Sequence, residues 1–267
     1  MISLVSLLEE LSSRPKAIIF AGSPGAGKSS LLKNEIEKYG LKVLNVDDFY
    51  KANMAKAGQS LDVKNADREG RSKSSSAMQA AIKSYNQALN DAVSNKENIV
   101  LDATSGSLKK TAELRNELNM AGYDVMMLYV HASLKKALKR NDRRFEKNQG
   151  NERSLPPDVV VKTWTNVTRN YGQYRNIFGD DFISIVNDKK PFTLSSYDDI
   201  KKVYLDPYAP KDSMPLSATD QSYQDKIKAD NKAYIDDFIV NRRAKDILDN
   251  SVSKDEIKVK IKDFLSK

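Results

Sequence analysis

Residues 22–29 read Gly-Ser-Pro-Gly-Ala-Gly-Lys-Ser and fit the pattern GxxxxGK[ST]. Residue types in this order suit phosphate binding. Glycines let successive backbone N–H groups point into one concavity, and a helix starting behind them adds partial positive charge. Gly22, Ser23, Pro24, Gly25, Ala26, Gly27, Lys28, Ser29 and Ser30 are therefore expected to wrap the phosphates of ATP. Lys28 would reach the β- and γ-phosphates, and Ser29 would ligate Mg²⁺. At ordinary glycine usage, a chain of this length meets the pattern by accident only about once in a hundred times.

Carboxylates come next. Asp47 and Asp48 follow the apolar run 41–46, and Asp102 follows Ile99-Val100-Leu101. Ligands of open α/β sheets bind outside the carboxyl ends of the strands, so both positions are expected beside the phosphate loop. Asp47, on the strand after the P-loop helix, is suited to accept a proton from an acceptor hydroxyl. A P-loop by itself is shared by GTPases, motor ATPases and small kinases. The sequence has no base-reading Asn-Lys-x-Asp, and its Walker-B-like Asp102 is single rather than paired; the distinguishing feature is Asp47 on the strand directly after the P-loop helix, which favours a kinase.

Positioning these groups requires strands alternating with helices. Ala17–Ala21 precedes the loop, and a helical pattern over 30–39 stops at Gly40. Strands are expected at 41–46, 98–104, 124–130 and 182–186, with helices at 77–93, 108–120, 134–145 and from Pro156-Pro157 to about Phe178. The polar stretch 52–76 reads either as a solvated loop or as an acceptor-binding insert carrying Arg68, Arg71 and Lys73. The fold class is α/β: a three-layer, P-loop NTPase-type parallel sheet with flanking helices and right-handed crossovers, plus a C-terminal helical extension. The expected division is a kinase domain over 1–205, then a proline-containing linker and charged helices over 206–267.

Composition bounds the rest. The 267 residues are 40% hydrophobic and 30% charged, with no cysteine and one histidine, His131. Disulfides, thiolate metal sites, cysteine nucleophiles and histidine dyads are thereby excluded. The apolar stripe through Ile2, Leu4, Val5, Leu7, Leu8 and Leu11, broken by Glu9 and Glu10, reads as an amphipathic helix rather than a signal peptide. With no stretch long enough to span a bilayer, a cytoplasmic chain without membrane partners is expected. Of the net charge of +8, residues 133–153 contribute eight Lys or Arg against three acids. Such a cluster suits closure over a nucleotide as well as it suits a nucleic-acid face. His131 reads as structural, and Trp164, Tyr171 and Tyr174 read as core.

Several of these motifs, in this order, resemble the zeta-toxin group of P-loop kinases. They are 22–29, Asp47-Asp48-Phe49, Asp102-Ala103-Thr104, Ala121-Gly122-Tyr123-Asp124 and Arg153-Ser154-Leu155-Pro156 before a helix with Asn166. They also resemble polynucleotide 5′-hydroxyl kinases, in which Arg140-Asn141-Asp142-Arg143-Arg144 has a counterpart; the resemblance spans about residues 15–190. It implies that Asp47 is the base. Asp102 would orient either the Mg²⁺ shell or the acceptor, and Thr104 would hydrogen-bond the acceptor. Arg140, Arg144 and Arg153 would be lid arginines that stabilise the transferred phosphoryl oxygens. Val46 stands where polynucleotide kinases usually have an arginine, and Asp102 stands where zeta-type kinases usually have a glutamate. The implied acceptor is a nucleotide-like or nucleotide-sugar hydroxyl. A nucleic-acid kinase acting on 5′-hydroxyl ends or modified bases, and a nucleotide-dependent binding module, stand as alternatives.

Overall fold

The computed structural model describes residues 14–188, 194–208, 217–240 and 243–267. The amphipathic stretch read over residues 2–11 and most of the proline-containing linker lie outside these. Five parallel strands form one sheet in the order β2-β3-β1-β4-β5. They are β1 (Lys16–Ala21), β2 (Lys42–Leu44), β3 (Ile99–Leu101), β4 (Asp124–His131) and β5 (Phe182–Val186). β1 is central, paired with β3 on one side and β4 on the other, so the chain leaving it stands at the point where strand order reverses. That is where a parallel sheet opens a crevice.

Alternation along β1 divides the core into two layers. Ala17, Ile19 and Ala21 face a layer built from α3 (Arg68–Ser94), α4 (Leu108–Met120), α7 (Pro157–Arg169) and α8 (Tyr171–Phe178), together with α10 (Ala218–Val240) and α11 (Arg243–Asp249). Ile18 and Phe20 face Leu31, Leu32 and Ile36 of the segment after the P-loop, and Ile257, Ile261 and Phe264 of α12 (Lys254–Ser266). Trp164, Tyr171, Tyr174 and His131 are all buried in the first layer or its aromatic edge. Burial pushes the His131 imidazole down to about 4, with Asp188 opposing.

Some boundaries differ from the periodicity. The helix expected over 30–39 is α1 (Lys28–Leu31), followed by a π-turn, Leu32–Ile36, and a 3-10 turn, Glu37–Tyr39. The expected strand 41–46 ends at Leu44, because Asn45 accepts the Asp47 N–H at 2.8 Å and caps α2 (Val46–Lys56). Asp47 and Asp48 thus belong to a helix's first turn, where acidic side chains complement the macrodipole. The stretch 52–76 is not a loop: it holds the C-terminal part of α2, a 3-10 turn at Val63–Asn65 and the first turns of α3, which Asp67 caps through Gly70 N–H. Tyr50 and Met54 of α2 pack on Ala81 of α3 in a small third core. The helix expected over 134–145 breaks at Arg143 between α5 (Leu134–Asp142) and α6 (Arg144–Lys147), and the long helix breaks at Asn170 between α7 and α8. The remaining helices are α9 (Tyr197–Ile200) and, over the expected span 223–249, the separate α10 and α11.

Candidate active site

Backbone shape makes the phosphate loop. Gly22, Gly25 and Gly27 have positive φ, and a β-carbon on Gly22 would lie 2.5 Å from the Val130 carbonyl oxygen. A larger residue there would push the loop off β4. Gly22 N–H donates to Thr104 O at 3.2 Å, which ties the loop to the chain leaving β3. Lys28 is enclosed, and its Nζ donates to Gly22 O at 2.9 Å and Ser23 O at 3.4 Å. Burial draws its ammonium below the usual lysine range, with the Asp102 charge opposing.

A cleft of about 1450 Å³ opens over this loop. Pro24, Gly25, Gly27, Lys28, Ser29 and Ser30 line it, together with Asp47, Asp102, Thr104, Arg140, Arg144 and Arg153. The structure thereby brings together every candidate read from the sequence except Gly22, Ser23, Ala26 and Arg71. The first three lie behind the loop surface. Arg71 sits in the first turn of α3, donates to Ala66 O at 2.7 Å and does not line the cleft. Among the described residues, nine cationic side chains stand on the cleft walls against three carboxylates, those of Asp47, Asp102 and Glu152.

Asp102 is held by Asn45, whose Nδ2 donates to its Oδ2 at 3.0 Å. Burial raises the Asp102 pKa, Lys28 opposes this, and Asp47 adds to it. Asp102 and Ser29 line the same cleft, and carboxylate and hydroxyl oxygens are ligand types that suit a hard divalent cation. Ser29 and Asp102 are the residues that would hold Mg²⁺.

The three arginines occupy different stations. Arg140 Nη1 donates to Gly25 O at 2.9 Å and Ala26 O at 3.0 Å, so it braces the phosphate loop itself. Arg144 pairs with Glu152 at 2.6 Å. Arg153 pairs with Asp47 at 2.9 Å, and its guanidinium lies 4.9 Å from the centre of the Tyr50 ring.

Sequence reasoning missed Asn45, Lys51, Ser105, Glu152 and Asn187. Asn187, just past β5, donates to Ala26 O at 2.8 Å. Lys136 reaches the Asn187 carbonyl at 2.6 Å and Asp188 at 2.8 Å. Ser105 takes φ of 52°, rare for a non-glycine residue, and donates through Oγ to Phe20 O at 2.8 Å. Its carbonyl accepts from the Tyr174 hydroxyl, so the core fixes the turn that carries Asp102 to Ser107 past the cleft. An Asp-to-Gly turn after an apolar strand was the available signal for Ser105. The others emerge only from tertiary pairing.

The zeta toxin family profile matches residues 6–194, well over half of the chain. This chain belongs to the zeta toxin family. Among solved structures, this zeta-toxin-family chain is similar to a chain of the AvrRxo1-ORF1:AvrRxo1-ORF2 complex, solved with sulphate ions and with ATP. There the TM-score is 0.51 at 15% identity, over 86% of this chain and 78% of that one. It is also similar to a chain of the PezAT toxin-antitoxin system of the human pathogen Streptococcus pneumoniae (TM-score 0.48, 15% identity, 87% of this chain and 94% of that one). A third is a chain of the Pnkp1/Rnl/Hen1 RNA repair complex (TM-score 0.44, 21% identity, 60% and 46%). No curated protein matches in sequence. Family and topology are those of a P-loop kinase. Among the described residues no helix is long and apolar enough to cross a membrane.

Proposed function

We propose that this zeta-toxin-family chain transfers the γ-phosphoryl group of ATP to a hydroxyl of a nucleotide-like or nucleotide-sugar acceptor. The observation that carries this reading is that a phosphate loop with its lysine, a carboxylate and a set of arginines converge on one cleft large enough for two ligands. Pockets for one drug-sized ligand span about 300–1,000 Å³, and this cleft is about 1450 Å³.

Residues 22–30 bind the triphosphate through backbone N–H groups, and Lys28 exchanges its contacts with Gly22 O and Ser23 O for phosphate oxygens. Mg²⁺, held by Ser29 and Asp102, would neutralise charge developing on the β- and γ-oxygens. Asp47 accepts the acceptor's hydroxyl proton as that oxygen bonds to the γ-phosphorus and the bond to the ADP oxygen breaks. Arg153 fixes the Asp47 carboxylate beforehand. Arg144, with Arg153, balances charge spread over the three transferred oxygens. Arg140 holds the loop through the Gly25 and Ala26 carbonyls.

The excess of cations in the cleft exceeds what a magnesium-bound triphosphate neutralises, which supports an acceptor that is itself anionic. This favours nucleotides over neutral sugars. It supports the nucleic-acid reading less, because the charge is concave and Arg71 stands outside it. The test is a screen with γ-labelled ATP against nucleotide sugars, mononucleotides, and DNA or RNA bearing 5′-hydroxyl ends. A labelled nucleotide sugar or mononucleotide is the expected product. Label on 5′ ends alone would replace this acceptor with nucleic acid, and ATP binding with no labelled acceptor would remove the kinase reading.

A further inference from the structure

Glu152 stands where the base-bearing helix and the arginine segment meet. Its Oε1 accepts from Lys51 Nζ at 2.8 Å, and its Oε2 accepts from Arg144 Nη2 at 2.6 Å. Lys51 lies four residues after Asp47 on α2, and residues so spaced share one helix face. Arg153, the next residue after Glu152, holds Asp47 at 2.9 Å. The dipeptide Glu152-Arg153 therefore clasps one face of α2 at two successive turns with opposite charges, and sliding along the helix would break both pairs. The side chains of Glu152, Lys51 and Arg144 are each about one-quarter exposed (27%, 27% and 26%), so water screens them less than it screens a free surface pair. Burial alone would raise the pKa of Glu152, yet Lys51 and Arg144 hold it below its ordinary value.

The segments are fastened again on either side. Ser154 Oγ donates to Asp62 Oδ1 at 2.7 Å, Ser154 N–H donates to Leu61 O at 3.3 Å, and Lys64 pairs with Asp142. Two of these ties join α2 to a candidate lid arginine, the direct Arg153–Asp47 pair and the Glu152 carboxylate, and of the two Glu152 is the one that reaches Arg144.

We infer that Glu152 is a positioning residue: through Lys51 and Arg144 it makes the base-bearing helix α2 and the arginine segment around α6 one body, so that Asp47 and Arg144 approach the triphosphate in fixed register. This rests on the kinase reading above. Replacement by glutamine keeps the shape of Glu152 but removes the charge and sets an amide donor against one of its two cations. Displacing a catalytic group by about 1 Å costs on the order of 10²-fold in rate. Glu152→Gln should accordingly lower kcat by about tenfold to a hundredfold while the KM for ATP stays within about threefold.

The coupling itself is read by spin-label distances. The chain has no cysteine of its own, and Ala55 on α2 and Glu146 on α6 are exposed. With labels at Ala55→Cys and Glu146→Cys, the otherwise native chain should give one narrow distance distribution, unchanged by a non-hydrolysable ATP analogue with Mg²⁺. Glu152→Gln and Lys51→Met should each broaden it, and the double variant should broaden it no further. Equal distributions in the native and Glu152→Gln chains would overturn the inference. So would a fall of more than about 8 °C in melting temperature for Glu152→Gln, which would mark a purely structural residue. If the native chain labels no acceptor, the kinase reading fails, while the distance distributions still decide the coupling.

Discussion

At the scale of single residues, the cleft floor sets an unfavourable burial against a function. Asp102 is desolvated, and its pKa is raised chiefly by burial despite the nearby Lys28 charge. A carboxyl whose folded pKa lies above its unfolded value costs stability wherever it must ionise, and the cost disappears as pH falls below the unfolded value. Asp102→Asn should therefore raise the melting temperature of the ligand-free chain near neutral pH, by about 2–4 °C for each kcal/mol recovered. The gain should shrink as the melt is repeated at pH falling through the ordinary carboxylate range, because the raised folded pKa lets the native carboxyl take its proton before the unfolded one does. The same variant should weaken the magnesium dependence of ATP binding, read by calorimetry with and without the metal. Tyr174 shows the opposite balance: its hydroxyl satisfies Ser105 O in the core. Tyr174→Phe leaves that carbonyl unpaired and should lower stability by about 1–3 kcal/mol, measured by urea unfolding.

At the scale of elements, Asn45 decides where β2 stops and α2 starts. Its side chain caps Asp47 N–H at 2.8 Å and holds Asp102 at 3.0 Å, so one residue registers both candidate acceptor carboxylates. Asn45→Ala should lower stability by about 1 kcal/mol, the ordinary worth of a cap, and should reduce transfer more than that loss explains. The P-loop, β1, β4, β5 and the order of the acidic and arginine motifs were legible, because glycine spacing and continuous apolar runs carry them locally. α2 was not. Leu41 to Val46 is apolar enough to extend a strand, and only the Asn45 side chain turns Val46 into a helix. The first turns of α3 were hidden for a related reason: they pack through small and polar groups, such as Ser74 against the Tyr50 hydroxyl at 2.8 Å, and show no apolar stripe. The ion pairs of Glu152 join residues 8 and 101 positions apart, and no local pattern announces such partners.

At the scale of the whole molecule, the C-terminal helices complete the core. Tyr234 and Phe238 of α10 and Ile247 of α11 belong to the same apolar layer as Tyr129 and Trp164. Ile257, Ile261 and Phe264 cover Ile18, Phe20 and their neighbours on the other face. Each of those three side chains contributes about 1.5–3 kcal/mol on burial, and their sum rivals the net stability of a domain. Ile257→Ala should cost about 2–5 kcal/mol in urea unfolding. Removal of residues 254–267 should give a chain that aggregates rather than a smaller active kinase, checked by light scattering at micromolar concentration.

The proposed reading divides labour in the cleft: residues 22–30 would bind ATP and Asp47 would activate the acceptor. The direct measurement compares native and Asp47→Asn chains in ATP binding by calorimetry and in transfer of γ-label to the acceptor found in the screen. The predicted result is ATP affinity within about threefold of native and transfer lowered by about 10²–10⁴-fold. An Asp47→Asn chain that transfers label at near-native rate would contradict it.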